Sequence, residues 1–429
     1  MKNMTTFQIV LISIFIVGII GGMIAFAVVK GGNKKVVINV SVWGTLDAGI
    51  VNQYLKDFTT GNQQTIVPSY RQLQEQDFDE ALVTAIADGN APDIILVDQK
   101  SLFKNQSKLV TIPFTSFSSN SYNTAFIPEA NLFSFSNGYL ALPFAIDPMV
   151  MYWNRDIFTT ARLAAPPKYW DDLISLVPAV TQRDTANNII QSTVALGEYT
   201  NIDHAKDILS AMFLQSGNPI ATLSGAYGSA LSTSGSTPSA DNILSFYTQF
   251  ADPTNEVYSW NRSMPDSLNL FIQNKLGLYF GYASELGPIR EKSPNLNFDV
   301  TYMPQLRPAI GSAGVNMTFG KLYGLGVLKT SKSVTNAVVA ESAMVGAQSL
   351  SFWSQESGLP SVRRGVASPD PSNSADTIFY TSALWSRGWS DVNGQATEDI
   401  FKTMIESVTS GQTSADQAVN DANRRLGSL

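Results

Sequence analysis

Residues 36–43, VVINVSVW, open the part of the chain that decides the fold class. This β-branched run has the length and composition of a buried parallel strand. Apolar residues then recur at helical spacing and predict a first helix that ends at Gly61. Residues 65–70 predict a second strand, and the helix predicted after it ends at Gly89. The residues DIILV at 93–97 predict a third strand. Strands and helices alternating in this order predict an α/β fold with a doubly wound sheet.

Three side chains stand at the carboxyl ends of these predicted strands, where doubly wound sheets bind their ligands. Trp43 ends the first strand, Tyr70 ends the second, and Asp98 directly follows the third. We therefore expect all three at the ligand crevice. Ordinary structural roles remain open for two of them, since Trp43 could be a core residue at a strand end and Asp98 could be a helix N-cap.

A longer motif lies further along the chain. Residues 142–156 read LPFAIDPMVMYWNRD, and residues 166–173 read PPKYWDDL. Together they resemble the extracellular solute-binding proteins of ABC importers, in the sugar-binding subgroup that is similar to maltose-binding protein. Weaker matches at 89–95, 281–282 and 353–363 follow in the same order, so the resemblance covers nearly the whole chain from residue 37 onward.

The resemblance implies a two-lobe periplasmic-binding-protein-like fold of type II, in which each lobe is built from discontinuous segments. We expect the chain to cross between the lobes near residues 144–147, 298–303 and 350–355. Lobe 1 would then comprise residues 37–143 and 302–350, and lobe 2 would comprise residues 148–297 and 355–429.

The resemblance also implies a function and a set of binding residues. The protein would be a monomer that captures a small solute, a sugar or an oligosaccharide, and delivers it to ABC permease subunits without a cofactor. Asp147, Tyr282 and Trp385 fall where the family has ligand contacts, and Trp389 is an alternative to Trp385. Sugar sites combine aromatic faces with carboxylates that accept hydrogen bonds from hydroxyls, which also suits the three crevice residues named above.

The N-terminal segment is strongly apolar. Residues 7–29 carry no charge over 23 positions, which is enough to span a bilayer as a helix. We expect a short tail at 1–6, a transmembrane anchor at 7–29, a linker at 30–36, and the body on the extracytoplasmic side of the cell membrane. The anchor would replace the lipid-bearing Cys of the family, which is absent here. A cleaved signal peptide stays open, because AFA at 25–27 resembles a cleavage site.

Composition narrows the remaining function classes. The 429 residues are 44% hydrophobic and carry a net charge of −7 with no long basic run, so neither a disordered chain nor a nucleic-acid binder is expected. The absence of Cys and the single His, His204, exclude thiolate chemistry and multi-His metal sites. We read His204 as a solvated surface residue.

Two alternatives to a binding protein remain open at this stage. The first is a glycosidase that uses Asp98 and Asp147 as its acid and base, although no motif links these carboxylates. The second is a sensor or adhesion module that acts on a membrane partner. We favour binding without catalysis.

Overall fold

The computed structural model describes residues 37–224, 226–308, 314–366, 369–370 and 372–429. The predicted anchor at 7–29, with its tail at 1–6 and its linker at 30–36, lies outside the described residues. Within those ranges, no helix is both long enough and apolar enough to cross a bilayer.

Strands and helices alternate along most of the chain. The strands are β1 Ile38–Gly44, β2 Ile66–Gln72, β3 Ile94–Asp98, β4 Ile112–Pro113, β5 Ser134–Phe135, β6 Gly138–Tyr139, β7 Leu142–Asn154, β8 Gln182–Arg183, β9 Ile189–Val194, β10 Ala221–Ser224, β11 Ala226–Ser229, β12 Leu276–Tyr282, β13 Phe298–Thr301, β14 Thr318–Val327 and β15 Ser386–Arg387. The helices are α1 Ala48–Gly61, α2 Glu75–Ala87, α3 Gln99–Asn105, α4 Ser119–Ala125, α5 Arg155–Thr160, α6 Asp172–Val180, α7 Ala205–Gln215, α8 Ala240–Thr248, α9 Ser267–Ile272, α10 Leu286–Lys292, α11 Val334–Met344, α12 Ala347–Ser357, α13 Ser374–Trp385, α14 Gly394–Thr409 and α15 Ala415–Leu426. Short 3-10 helices cover Gln106–Lys108, Pro128–Phe133, Gln249–Ala251 and Ala283–Glu285.

The α/β prediction from the first strands is confirmed. One mixed sheet has the strand order β2-β1-β3-β14-β7-β12-β9-β8, with β13 paired to β7 and β15 paired to β14. β1 runs parallel to both β2 and β3. The intervening helix α1 begins where Asp47 accepts a hydrogen bond from the backbone of Ile50 at 3.0 Å, and it buries its apolar face against the sheet.

β7 lies in the middle of this sheet and pairs with strands on both sides. Its residues 142–148 pair with β14, whereas residues 149–153 pair with β12 and residues 151–154 pair with β13. We call β2, β1, β3, β14 and residues 142–148 the first sheet half, and residues 149–154, β13, β12, β9 and β8 the second sheet half. The predicted crossing at 144–147 therefore lies immediately before the pairing changes partner.

The chain returns to the first sheet half between Thr301, at the end of β13, and Thr318, at the start of β14. The predicted crossing at 298–303 thus covers β13 and the first residues of this return.

The third crossing requires a correction, because residues 350–355 lie inside α12. The rings of Trp353 on α12 and Tyr54 on α1 have centroids 5.8 Å apart, and Phe144 packs against both. The backbone of Arg364 then donates to Ala125 O at 2.8 Å, so the chain stays with the first sheet half at least to residue 364. An apolar helix face that packs on α1 replaces the connection expected here.

Candidate functional site

Two neighbouring cavities share the side chains of Lys100 and Glu398. Cavity A has a volume of about 410 Å³, and its walls come from α2, α3 and the start of α14. Cavity B has a volume of about 290 Å³, and its walls come from residues 199–207, Lys321 and α14. Each cavity draws side chains from elements that are far apart in the sequence, so both cavities depend on how these elements are packed.

An ion pair connects the walls. Lys100 in α3 places its Nζ 3.5 Å from Oε1 of Glu398 in α14. Burial disfavours the charge of Lys100, but the carboxylates of Asp207 and Glu398 outweigh it and raise the pKa of this lysine. Glu398 also accepts hydrogen bonds from the hydroxyl of Tyr199 and, at 3.3 Å, from Lys206 Nζ. Its carboxylate is therefore the common acceptor of the two cavities.

Lys206 is a buried charge in the wall of cavity B, with a side chain that is only 3% exposed. Its Nζ donates to Asp391 Oδ2 and to Thr397 Oγ1, both at 2.7 Å. The same ammonium lies 5.4 Å from the centroid of the Trp389 ring. These contacts fix the start of α14, and with it Glu398, against α7.

The wall of cavity B continues into a buried cluster. Tyr282 at the end of β12 donates its hydroxyl hydrogen to Asp207 Oδ2 at 2.6 Å, and Lys321 Nζ lies 3.9 Å from the centroid of the same ring. Burial works against the charge of Asp207, but Lys100 and Lys321 outweigh it and lower the pKa of this carboxyl. Asp207 is therefore an ionised carboxylate.

Asp147 sits at the change of pairing partner in β7. It lies opposite Lys321 in the β7–β14 register, and its Oδ1 accepts a hydrogen bond from the backbone of Ser284 at 3.0 Å. Burial raises the pKa of this carboxyl to about 6, although Ser284 and Lys321 act in the opposite direction. Asp147 thus ties the crossing to the 3-10 helix that follows β12.

His204 is not the solvated surface residue that the sequence suggested. Its Nε2 lies 2.6 Å from Glu285 Oε1, its ring packs edge-on against Tyr282, and its side chain lines cavity B. Tyr279 donates to the other oxygen of Glu285 at 2.5 Å. The sequence placed His204 beside Asp203 and Lys206, but the fold brings a carboxylate from the helix after β12 against it.

Residues 53–381 match the family model of the bacterial extracellular solute-binding proteins. The chain belongs to this family. A relative from Brucella abortus (strain 2308), named only as a binding protein, is 24% identical over 362 residues, which is 80% of each chain. The family membership makes this chain a solute-binding protein of the kind that serves ABC importers, and not an enzyme, so the glycosidase alternative is wrong.

Solved structures show the same fold. A cyclo/maltodextrin-binding protein complexed with maltotetraose superposes with a TM-score of 0.71 at 16% identity, covering 92% of this chain and 98% of its own. A solute-binding protein of Thermotoga lettingae TMO, bound with α-D-tagatose, superposes with a TM-score of 0.66 at 18% identity, covering 91% of this chain and 100% of its own. The periplasmic-binding-protein-like fold is thereby confirmed.

Six residues were predicted from the sequence to bind the solute, and three of them lie in or directly behind the walls of cavities A and B. Asp98 lines cavity A, where its Oδ1 accepts from the backbone and the hydroxyl of Ser101 at 2.8 and 2.5 Å and so caps α3. Asp147 and Tyr282 lie one layer behind the wall of cavity B, and both are at least 90% buried. The N-cap role considered for Asp98 is present together with its place in the cavity wall.

The other three lie elsewhere. Trp43 packs under the guanidinium of Arg71 at 4.6 Å and lines a separate cavity beside α2. The Tyr70 hydroxyl donates to Leu46 O at 2.9 Å and supports the turn after β1. The Trp385 ring lies 4.7 Å from the ring of Tyr302. The aromatic residues that line cavities A and B are instead Phe78, Tyr199 and Tyr323.

Sequence reasoning missed the charged residues of the walls other than Asp98. These are Glu75, Asp79, Lys100, Lys104, Lys206, Asp207, Lys321 and Glu398. One signal was available, because charged residues form only 15% of the chain and yet Asp203, Lys206 and Asp207 cluster around the single His. Within the described ranges, no group of three or more His, Asp or Glu side chains is arranged to hold a metal ion.

Proposed function

We propose that this solute-binding protein captures a carbohydrate-like solute between two lobes and delivers it to the permease subunits of an ABC importer. The observation that carries the proposal is the pair of cavities, whose walls combine α2, α3 and Lys321 of β14 with residues 199–207 and the start of α14. A solute that contacts both walls binds the closed arrangement better than the open one, so it shifts the equilibrium toward closure. No covalent bond changes in this cycle.

The lobes of the proposal follow the two sheet halves. Lobe 1 comprises residues 37–143 and 302–364, extended from residue 350 because α12 packs on α1. Lobe 2 comprises residues 148–297 and the helices α14 and α15. The segment around Asp147, the return between β13 and β14, and the stretch after residue 364 would act as the hinges. A change of pairing partner within one continuous strand supports the first of these hinges.

The polarity of the walls supports a carbohydrate. Carboxylates and ammonium groups accept and donate the hydrogen bonds that sugar hydroxyls require, and Phe78, Tyr199 and Tyr323 add apolar surface. Similar structures hold maltotetraose in one case and tagatose in another, so the fold accommodates solutes of different length. We assign a direct contact to Asp98, and support from behind the wall to Asp147 and Tyr282.

The remaining parts of the proposal concern location and partners. The family membership supports an extracytoplasmic body. We propose that residues 7–29 hold the body at the cell membrane, close to the permease, and that the protein acts as a monomer. Trp43, Tyr70 and Trp385 stay in the proposal as residues at the margins of the cleft.

Calorimetric titration of the full chain with maltotetraose and with D-tagatose tests this function. Saturable binding of at least one of these sugars, with no reducing sugar released from maltotetraose over hours, is the expected result. Absence of binding to every saccharide in a wider panel, together with saturable binding of a solute without hydroxyl groups, would overturn the carbohydrate assignment.

A further inference from the structure

Cavity B contains an acceptor and a donor that the described protein leaves without hydrogen-bond partners. Asp207 is 5% exposed, and its Oδ1 has no partner among the described residues. Lys321 lines the same cavity, and its Nζ contacts the face of Tyr282 without a hydrogen bond or ion pair to any described residue. A buried polar atom without a partner is uncommon and costs free energy. We therefore consider Asp207 Oδ1 a candidate atom for binding a ligand.

Tyr282 holds these two side chains in place. Its hydroxyl donates to Asp207 Oδ2, which leaves Oδ1 as the unused oxygen of the carboxylate, and its ring carries the ammonium of Lys321 at 3.9 Å. Tyr152 in turn donates to Tyr282 O at 2.6 Å. The donor and the acceptor are therefore fixed by packing before any ligand arrives, which reduces the entropy lost on binding.

Each charged side chain in the wall of cavity B has a neighbour of opposite charge, and this balance limits the charge that a ligand can carry. Lys206 is paired with Asp391 at 2.7 Å, and Lys100 is paired with Glu398 at 3.5 Å. Lys321 is attracted by Asp207 and Asp147. An anionic group would be repelled by Asp207, and a cationic group would be repelled by Lys321. A hydroxyl suits both neighbours, because it donates one hydrogen bond and accepts others.

We propose that Asp207 and Lys321 form a hydroxyl-binding pair that selects a neutral, polyhydroxylated solute over a charged one. A hydroxyl of the solute donates to Asp207 Oδ1 and accepts from Lys321 Nζ. Tyr282 is the positioning residue of the pair. This inference rests on the proposed function, since it requires that the solute enters cavity B.

Calorimetry on the full chain with four probes tests the pair: maltotetraose and D-tagatose as neutral sugars, D-glucuronate as an anion and D-glucosamine as a cation. The test variants are Asp207→Asn and Lys321→Met, and the control is Lys402→Met on the exposed face of α14. Each test variant should weaken binding of the neutral sugar about ten- to a hundredfold, because a hydrogen bond to a charged group is lost. The control should leave it unchanged.

Each outcome of this experiment either supports or overturns the proposed Asp207–Lys321 pair. If Asp207→Asn fails to fold, Lys321→Met decides alone, because its ammonium makes no hydrogen bond within the described protein. Unchanged affinity of the variants for a neutral sugar overturns the pair and leaves the proposed function intact. Tighter binding of D-glucuronate or D-glucosamine than of both neutral sugars also overturns the pair. No saturable binding of any of the four probes overturns the pair, whereas the proposed function is then decided by the wider saccharide panel.

Discussion

Lys100 Nζ and Glu398 Oε1 lie 3.5 Å apart and join the walls of cavities A and B. Both side chains remain partly exposed, at 24% and 36%. Ion pairs of this kind contribute little to stability, about 0–1 kcal/mol, because water screens them. A solute can therefore replace the contact at small cost, while the two charged groups remain available to bind it.

Removing this contact should favour the open form of the free protein. Lys100→Met is expected to shift the equilibrium between closed and open states by at most about fivefold, in line with the small worth of an exposed pair. Small-angle scattering of the ligand-free protein should show a larger radius of gyration than wild type, with Lys402→Met as the matched control. An unchanged scattering profile would show that the pair does not bridge two movable parts.

Asp147 should make stability depend on pH. Its pKa in the folded protein is raised to about 6, whereas the unfolded value is near 3.8, so folding favours the protonated form. The resulting stabilisation is complete below about pH 4 and is lost as the pH rises through 6, with a total of about 2–3 kcal/mol. Asp147→Asn cannot ionise, so the difference in free energy of unfolding between variant and wild type should change by this amount across that range.

Urea denaturation at a series of pH values measures this difference directly. Other titrating groups, including the buried Glu129, are present in both proteins and cancel in the comparison. Asp421→Asn, at an exposed position on α15, should show no such trend. A difference between Asp147→Asn and wild type that stays constant from pH 4 to pH 7 would contradict the raised pKa.

The buried ion pair of Lys206 should matter much more than the exposed one. Lys206→Met leaves Asp391 buried without its charge partner and is expected to lower the free energy of unfolding by about 3–5 kcal/mol. The double variant Lys206→Met with Asp391→Asn should recover part of this loss. Denaturant titration of wild type, the two single variants and the double variant completes the cycle, and a loss in the double variant equal to the sum of the two single losses would show that the two residues are not coupled.

Tyr54→Phe tests whether α12 belongs to lobe 1. The Tyr54 hydroxyl hydrogen bonds to Met344 O at 3.0 Å and to Ser349 Oγ at 2.8 Å, both adjacent to or within α12. Its loss should cost about 1–3 kcal/mol of stability. Tyr302→Phe is the control, because its hydroxyl makes no hydrogen bond with the described residues. Equal free energies of unfolding for Tyr54→Phe and wild type would contradict the conclusion that the Tyr54 hydroxyl holds α12 against α1.

The local features of the fold could be predicted from sequence because they depend on neighbours in the chain. The β-branched run before Trp43 and the helix that buries Tyr54 follow from side-chain periodicity, and Asp47 caps that helix from the position directly before it. The sequence did not predict that residues 350–355 lie inside α12, because the buried face of this helix is recognisable only once α1 is known to pack against it. Long-range packing therefore set the limit of the fold prediction.

The site was less accessible to sequence reasoning. Topology places Trp43 and Asp98 at strand ends, but it does not fix the direction of a side chain, and only Asp98 reaches cavity A. The charged wall draws on Lys100, Asp207 and Lys321, each from a different element. No spacing in the sequence links residues that only the tertiary fold brings together.

The most direct test of a hinged cleft is a distance measured across it. Because the chain contains no Cys, Glu80→Cys on α2 and Asp399→Cys on α14 provide one exposed spin-label site on each of the two proposed lobes. Pulsed electron paramagnetic resonance should give a longer and broader distance distribution without sugar, and a shorter and narrower one with a saturating neutral sugar. An identical distribution with and without a sugar that calorimetry shows to be bound would contradict closure of two lobes around the solute.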